Sequence, residues 1–245
     1  MLFEILISSH NGEEFIKLQL ESIINQSYKN WKMKIADDCS NDKTIKIIQE
    51  YSKKDKRIAF YKNKQRLGPL LSFYNLLQKS NSDYVIFCDQ DDIWFPNKLE
   101  TLFKFILKSN KKIVFGLHNG EFLVPETNSV KFQNKYIKNK EIIFTKKPKL
   151  SFLNLIFSNK VIGCMSFGNC NLLKKIINKK PPINKGIFLD YWIALNVSLK
   201  YKIEFVDENL FQYRRHINTA TLSKRGIFEK IKKRFILIRF LIFSN

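Results

Sequence analysis

Cysteine is sparse in this 245-residue chain: Cys39, Cys88, Cys164 and Cys170, with no CxxC pair. A disulfide scaffold does not suit a chain of this length, so the four thiols read as small buried or loop residues in a reducing compartment. Glycine (8) and proline (6) are also few, while 44% of residues are apolar. That excludes a disordered chain and leaves room for one sizeable core. No apolar run reaches the length of a transmembrane helix. The opening Met1-Leu2-Phe3-Glu4 lacks a basic leader and its apolar run stops at Ile7, so no signal peptide is expected and a cytoplasmic protein is. Acidic residues are outnumbered 22 to 43 by Lys and Arg, giving a net charge of +21. Such a balance implies an anionic partner: nucleic acid, a membrane surface or a phosphorylated substrate.

Hydrophobic periodicity alternates between the two regular structures over the first half. Strands are expected at 3–7, 31–35, 58–61 and 83–88, and helices at 14–25, from 41 through Tyr51, at 68–78, and from Pro96 through Ile106. Repeated β-α units imply a parallel, doubly wound sheet. The second half is less regular. A polar, lysine-rich loop is expected at 125–149, helices at 151–157, 172–177 and 190–199, and strands at 163–167, 203–206 and 210–213.

Ligands of such sheets bind beyond the carboxyl ends of the strands. Three polar clusters fall there: Ser8-Ser9-His10-Asn11-Gly12, Asp37-Asp38-Cys39-Ser40-Asn41-Asp42 and Asp89-Gln90-Asp91-Asp92. Each alone is an ordinary turn; their convergence on one rim points to a site. Three acids within four residues are costly without a cation. On an extended chain Asp89 and Asp91 point the same way and can share one hard metal, suited to gripping phosphates.

These clusters, in order, resemble the family 2 glycosyltransferases, as do Ile93-Trp94-Phe95-Pro96, Leu189-Asp190-Tyr191-Trp192 and Tyr213-Arg214-Arg215-His216. The last two are similar to late motifs of a bacterial branch that includes rhamnosyltransferases. The resemblance covers roughly residues 1–220. It implies a GT-A fold, an α/β architecture whose doubly wound, mostly parallel sheet is flanked by helices. The catalytic domain would span 1–225, with a nucleotide-binding half to about 117 and an acceptor half from about 118. Ser8, His10, Asp38, Arg66 and Gln90 would bind the nucleotide, with Asp38 bonded to the base. Asp89 and Asp91 would hold Mg²⁺ or Mn²⁺, Asp91 more directly, and His216, with Arg214 or Arg215, would lie near the diphosphate. Asp190 would be the general base, and Trp94, Gly163, Cys164, Tyr191 and Trp192 would line the acceptor side. Departures from the family pattern are His10 for Tyr, Cys39 for Gly, Arg66-Leu67-Gly68 for Asn-x-Gly, and Leu189 for His or Glu.

The implied reaction is inverting transfer from a nucleotide-diphospho-sugar, dTDP-L-rhamnose first and a UDP-hexose second. The acceptor would be a growing bacterial surface glycan such as O-antigen, capsule or cell-wall polymer, on a lipid-linked carrier. Residues 226–245 form a basic, apolar segment suited to an anionic membrane interface, with packing on the body as the alternative. That places the protein peripherally on the inner face of the cytoplasmic membrane. Two other functions compete. Nucleic-acid binding fits the charge, but the lysines are dispersed and no RNP-like or zinc-finger pattern occurs. A degenerate structural partner fits the fold, but the acids are retained.

Overall fold

The computed structural model describes residues 1–109, 112–124, 130–132, 135–177, 181, 187–215 and 237, with backbone only at 130–132 and 135–137. An eight-stranded sheet carries the chain. Its order is β3-β2-β1-β4-β9-β6-β10-β5. These strands are β1 Phe3–Ser9, β2 Trp31–Asp37, β3 Ile58–Lys62, β4 Tyr84–Cys88, β5 Ile93–Trp94, β6 Phe115–Leu123, β9 Ser166–Asn169 and β10 Glu204–Arg214. A small hairpin, β7 Val130–Phe132 and β8 Lys135–Ile137, stands apart.

β1 pairs in parallel with β2 and β4, and β2 with β3, as four β-α repeats require. β9 runs antiparallel to both β4 and β6, and β5 is antiparallel to β10. The sheet is therefore mostly parallel with two reversed strands, not uniformly parallel. The expected strands at 203–206 and 210–213 are one strand, β10. Its register against β6 shifts at Val206/Asn209 and Asn209/Gln212, which interrupts the two-residue alternation and makes it read as two pieces. The expected strand at 163–167 opens instead as a 3-10 turn, Gly163–Met165.

Helices cover both faces. α1 Ile16–Ile24, α2 Thr44–Lys54 and α4 Lys98–Lys108 pack on one. α3 Gly68–Gln78, α5 Phe152–Phe157, α6 Cys170–Ile176 and α7 Leu189–Ser198 pack on the other. Alternation along β1 feeds both cores: Phe3, Ile5 and Ile7 enter the first, Leu6 the second. Each fully buried side chain of this size contributes about 1.5–3 kcal/mol. α4 begins at Lys98, with Asn97 as its cap residue, so Pro96 lies before the helix and not in its first turn. Leu237 is buried in the second core; the rest of the expected helix at 226–245 lies outside the described residues, as does His216.

Candidate active site

The parallel strands β1, β2 and β4 end on one rim, and the chain after each contributes to it. Beyond β1, the main chain of His10 is held by one side chain from the β4 end. The His10 N–H donates to Gln90 Oε1 and Gln90 Nε2 donates to the His10 carbonyl, both at 3.0 Å. The Gln90 amide thus acts as a piece of strand between two loops. Gly12 makes room for it: a Cβ there would lie 2.3 Å from Gln90 Oε1. His10 Nδ1 is 2.9 Å from the Asp38 carbonyl oxygen. Ser8 is half-buried at the end of β1, whereas Ser9 turns inward and donates to Asp37.

Asp37 and Asp38 are both buried, and neither caps α2. Asp37 receives Ser9 Oγ and the Ser40 N–H and hydroxyl. Asp38 reaches across to the start of α3: Oδ1 accepts from Leu67 N (2.7 Å) and Asn63 Nδ2 (2.9 Å), and Oδ2 from Gly68 N (2.8 Å). Its charge meets the orphan donors of a helix N-terminus. Cys39 adopts the left-handed conformation at φ 63°, at a cost of about 1–2 kcal/mol for a residue with a side chain. Arg66 is exposed beside this turn.

After β4 the chain does not stay extended. Gln90 and Asp91 form a turn, so the alternation that would pair Asp89 with Asp91 fails. Asp92 comes back instead. Ligand atoms of Asp89, Asp92 and Cys164 all lie within 4.8 Å of one another. Asp92 is fully buried; its Oδ1 accepts from Arg214 N (3.1 Å), the Cys164 thiol lies against the carboxylate, and Oδ2 has no hydrogen-bond partner among the described residues. Burial, then the charges of Asp91 and Asp190, push Asp89 up to about 7. Burial, then Asp91 and Asp89, push Asp92 well above the carboxylate range, and burial likewise raises the Cys164 thiol. A buried carboxylate oxygen without a donor, among like charges, is what a divalent cation would relieve. Two hard carboxylates fit Mg²⁺ or Mn²⁺; the thiol is a softer neighbour.

Asp190 lies in the first turn of α7, past its cap residue Phe188. Its charge acts on Asp89, which ties the second half of the chain to the acidic rim. Gly163 faces it: a Cβ there would sit 3.5 Å from Asp190 Cγ. The aromatic residues expected on the acceptor side are core residues. Trp94, Tyr191 and Trp192 are 2%, 6% and 3% exposed, and Tyr191 Oη donates to the Leu155 carbonyl at 2.9 Å. Their amphipathic rings fill the two cores, so none offers a face to a sugar. Cys164 is also fully buried. From β10, Arg214 Nε donates to the Asp91 carbonyl (2.8 Å), and its guanidinium lies 4.9 Å from the centre of the Phe15 ring. Arg215 is buried beside Tyr213.

Sequence reasoning missed Asp92 as the buried acid, and it missed Lys98. Lys98 is fully buried, and burial pushes its ammonium down to about 8. A signal was available: Lys98 stands at i−4 from Leu102 and i−8 from Ile106, on the apolar stripe of α4. His118, on β6, is buried too; burial and then Lys98 hold it well below the usual histidine range.

Known proteins match this arrangement along the chain. Residues 4–176 match the family described as Glycosyl transferase family 2. The chain is 29% identical to the Escherichia coli UDP-Glc:alpha-D-GlcNAc-diphosphoundecaprenol beta-1,3-glucosyltransferase WfgD over 236 residues, covering 96% of this chain and 84% of that one. S. aureus TarS in complex with UDP-GlcNAc superposes with a TM-score of 0.72 at 18% identity, over 98% of this chain and 67% of that one. The mannosyltransferase PcManGT from Pyrobaculum calidifontis, in complex with GDP-Man and Mn²⁺, gives 0.61 at 12% identity, over 98% and 69%. Those two structures share this chain's fold, the GT-A architecture that the resemblance implied. The family match covers well over half of the sequence and takes in the first two strand-end clusters and the buried acids, so the chain belongs to glycosyl transferase family 2.

Proposed function

We propose that this protein is an inverting, divalent-metal-dependent glycosyltransferase that moves a hexose from a UDP-linked donor to a lipid-diphosphate-linked glycan of the bacterial surface. O-antigen, capsule and cell-wall polymers are the polymer classes this fits. One observation carries the reading. Asp89 and Asp92, from the loop after β4, meet within 4.8 Å, Asp91 acts on both, and Asp190 from the distant α7 acts on Asp89, with a buried oxygen on Asp92 that has no hydrogen-bond partner among the described residues. The UDP in the names of the E. coli and S. aureus relatives favours a UDP-hexose over dTDP-L-rhamnose.

A Mg²⁺ or Mn²⁺ ion held by Asp89 and Asp92, with Asp91 alongside, would supply Lewis-acid neutralisation of the diphosphate leaving group. The chain's own residues do the rest. Asp38 Oδ2 accepts a single bond, from Gly68 N, and has a lone pair left for a base N–H. The Arg214 guanidinium, anchored through Nε, offers its remaining donors to the diphosphate. Asp190 takes the proton of the acceptor hydroxyl, and the missing side chain at Gly163 leaves that hydroxyl room in front of it. Attack opposite the diphosphate inverts the anomeric carbon. The tail at 226–245 belongs to this reading as a membrane-facing segment, packed on the body at least at Leu237.

The test is nucleotide release with Mn²⁺, a diphospholipid-linked glycan acceptor, and UDP-hexoses against dTDP-L-rhamnose. Acceptor-dependent UDP release supports the reading, and release of dTDP alone reassigns the donor. Asp190→Asn should cut turnover at least a hundredfold while leaving UDP affinity within about twofold; near-normal turnover rejects Asp190 as the base.

A further inference from the structure

The segment that leads from the sheet to Gly163 carries a second feature. A cavity of about 420 Å³ is lined by Ile143, Phe144, Thr145, Lys146, Lys147, Pro148, Lys149, Asn154, Ser158 and Lys160. Four of these are lysines and none is an acid. Beside it stands α5. Its buried face, Leu155 and Ile156, packs into the second core. Its other face leaves Leu153 67% and Phe157 66% exposed, and Ile142 nearby is 42% exposed. Leu153 and Phe157 are four residues apart and so lie on one side of the helix.

A Leu-Phe pair with more than half its surface exposed thus stands beside four lysines whose cleft has no acid among its lining residues. Each feature alone is ordinary: exposed apolar residues are common singly, and lysines are frequent in this chain. Together they reproduce, in a folded segment, the pattern of a side that lies on an anionic bilayer, with apolar side chains entering the acyl boundary and cations on the headgroups. From the Lys146–Lys160 cleft and the exposed Leu153–Phe157 face of α5, we infer a docking surface for an anionic lipid bilayer. The lysines meet the headgroup phosphates, and Leu153 and Phe157 insert among the chains. Nucleic acid, the other large polyanion, would use the lysines but gain nothing from Leu153 and Phe157.

The placement matters for the active site. α5 hangs from α7 through the Tyr191 Oη bond to the Leu155 carbonyl, one residue from Asp190. A membrane seated on α5 would hold a lipid-borne acceptor beside the helix pair that includes α7, the element carrying Asp190. That consequence rests on the transferase reading; the docking itself does not.

The experiment uses the full chain in sedimentation with phosphatidylglycerol-containing vesicles and with pure phosphatidylcholine vesicles. Wild type should partition to the anionic vesicles. Replacing Lys146, Lys147 and Lys149 by Gln should weaken that partition by about fivefold per lysine, and Leu153→Ser with Phe157→Ser by at least about tenfold. Asp190→Asn should bind vesicles like wild type, which keeps a failed activity assay separate from this result. A direct probe avoids any doubt about folding. Trp31, Trp94 and Trp192 are all buried, so Leu153→Trp adds an exposed indole whose emission should shift to the blue only with anionic vesicles. The inference is overturned if that emission does not move, or if both sets of variants bind as wild type does. It is also overturned if removing residues 226–245 abolishes all binding by a chain with the patch intact. Loss of RNA binding in the Gln variant, with no effect of the two Ser substitutions on either ligand, would assign the cleft to nucleic acid instead.

Discussion

The Lys98 ammonium stands 3.7 Å from the centre of the Trp94 ring. The Phe211 ring lies 4.9 Å away on β10, and the Cys164 carbonyl accepts at 3.4 Å. A buried cation is thus boxed by aromatic faces and one carbonyl directly behind the acids, and it feels both Asp92 and Asp89. Desolvated cation-π contacts of this kind are worth about 2 kcal/mol. The cation offsets part of the acids' repulsion and also opposes a divalent ion bound in front of it.

Lys98→Met, which keeps the volume and removes the charge, should therefore tighten Mn²⁺ binding about tenfold, equivalent to about 1.4 kcal/mol. Lys98→Arg should stay near wild type if it folds. Calorimetric titration of nucleotide-free protein decides it; unchanged or weaker binding by a folded Lys98→Met protein would show that the lysine only fills space.

Asp92→Asn should move stability and metal binding in opposite directions. The amide oxygen can still accept from Arg214 N, while the cost of burying a carboxyl group that must take up a proton beside Asp89 and Asp91 disappears. Metal-free stability should rise by about 1–2 kcal/mol, and Mn²⁺ affinity should fall at least about tenfold. Denaturant unfolding in chelator and metal titration read the two effects separately. Asp91→Asn should have the smaller effect on stability, because Asp91 is half-buried.

Asp38→Asn should cost about 2 kcal/mol in urea unfolding. Three donors point at its two carboxylate oxygens, and an amide NH₂ would have to face one of them. A loss well under 1 kcal/mol would mean that the start of α3 finds other partners.

The acids also set a pH dependence. Asp89 is raised to about 7 in the folded protein, chiefly by burial, and titrates near 3.9 when unfolded. Its protonated form is favoured by the fold, so this contribution is fully present below about 3.9 and is lost as pH rises through about 7. Lys98, lowered to about 8 chiefly by burial, acts at higher pH. Its contribution is present above the unfolded value near 10.4 and is lost as pH falls through about 8. Chelator-treated protein should melt at a lower temperature at pH 7.5 than at pH 5, and Mn²⁺ should narrow the difference. Equal melting temperatures in chelator would contradict the upward shift of the half-buried Asp89.

Much of the first half was legible because its signals are local. Periodicity marked β1 to β4 and α1 to α4 to within a few residues, with α4 displaced from Pro96 to Lys98. The second half was harder. β6 carries Gly116, His118, Asn119 and Gly120 in a nine-residue strand, which breaks any apolar alternation. Gly116 and Gly120 are there because Phe167 and Phe211 occupy the space their side chains would need, and a neighbour's ring leaves no trace in local pattern. β9 is four residues long and runs backwards between parallel strands, a pairing that only long-range packing selects.

The sequence by itself determined the β-α rhythm, the strand-end polar clusters and the acidic stretch after β4, because each depends on neighbours a few residues apart. Tertiary structure decided which acids meet. A turn at Gln90-Asp91 brings Asp92 under Asp89, α7 carries Asp190 to them, and Asp38 is drawn to the start of α3. It also turned Trp94 and Trp192 inward and put a lysine behind the carboxylates. Those choices depend on which surfaces are desolvated together, and burial between distant segments is not written in the spacing of residues along the chain.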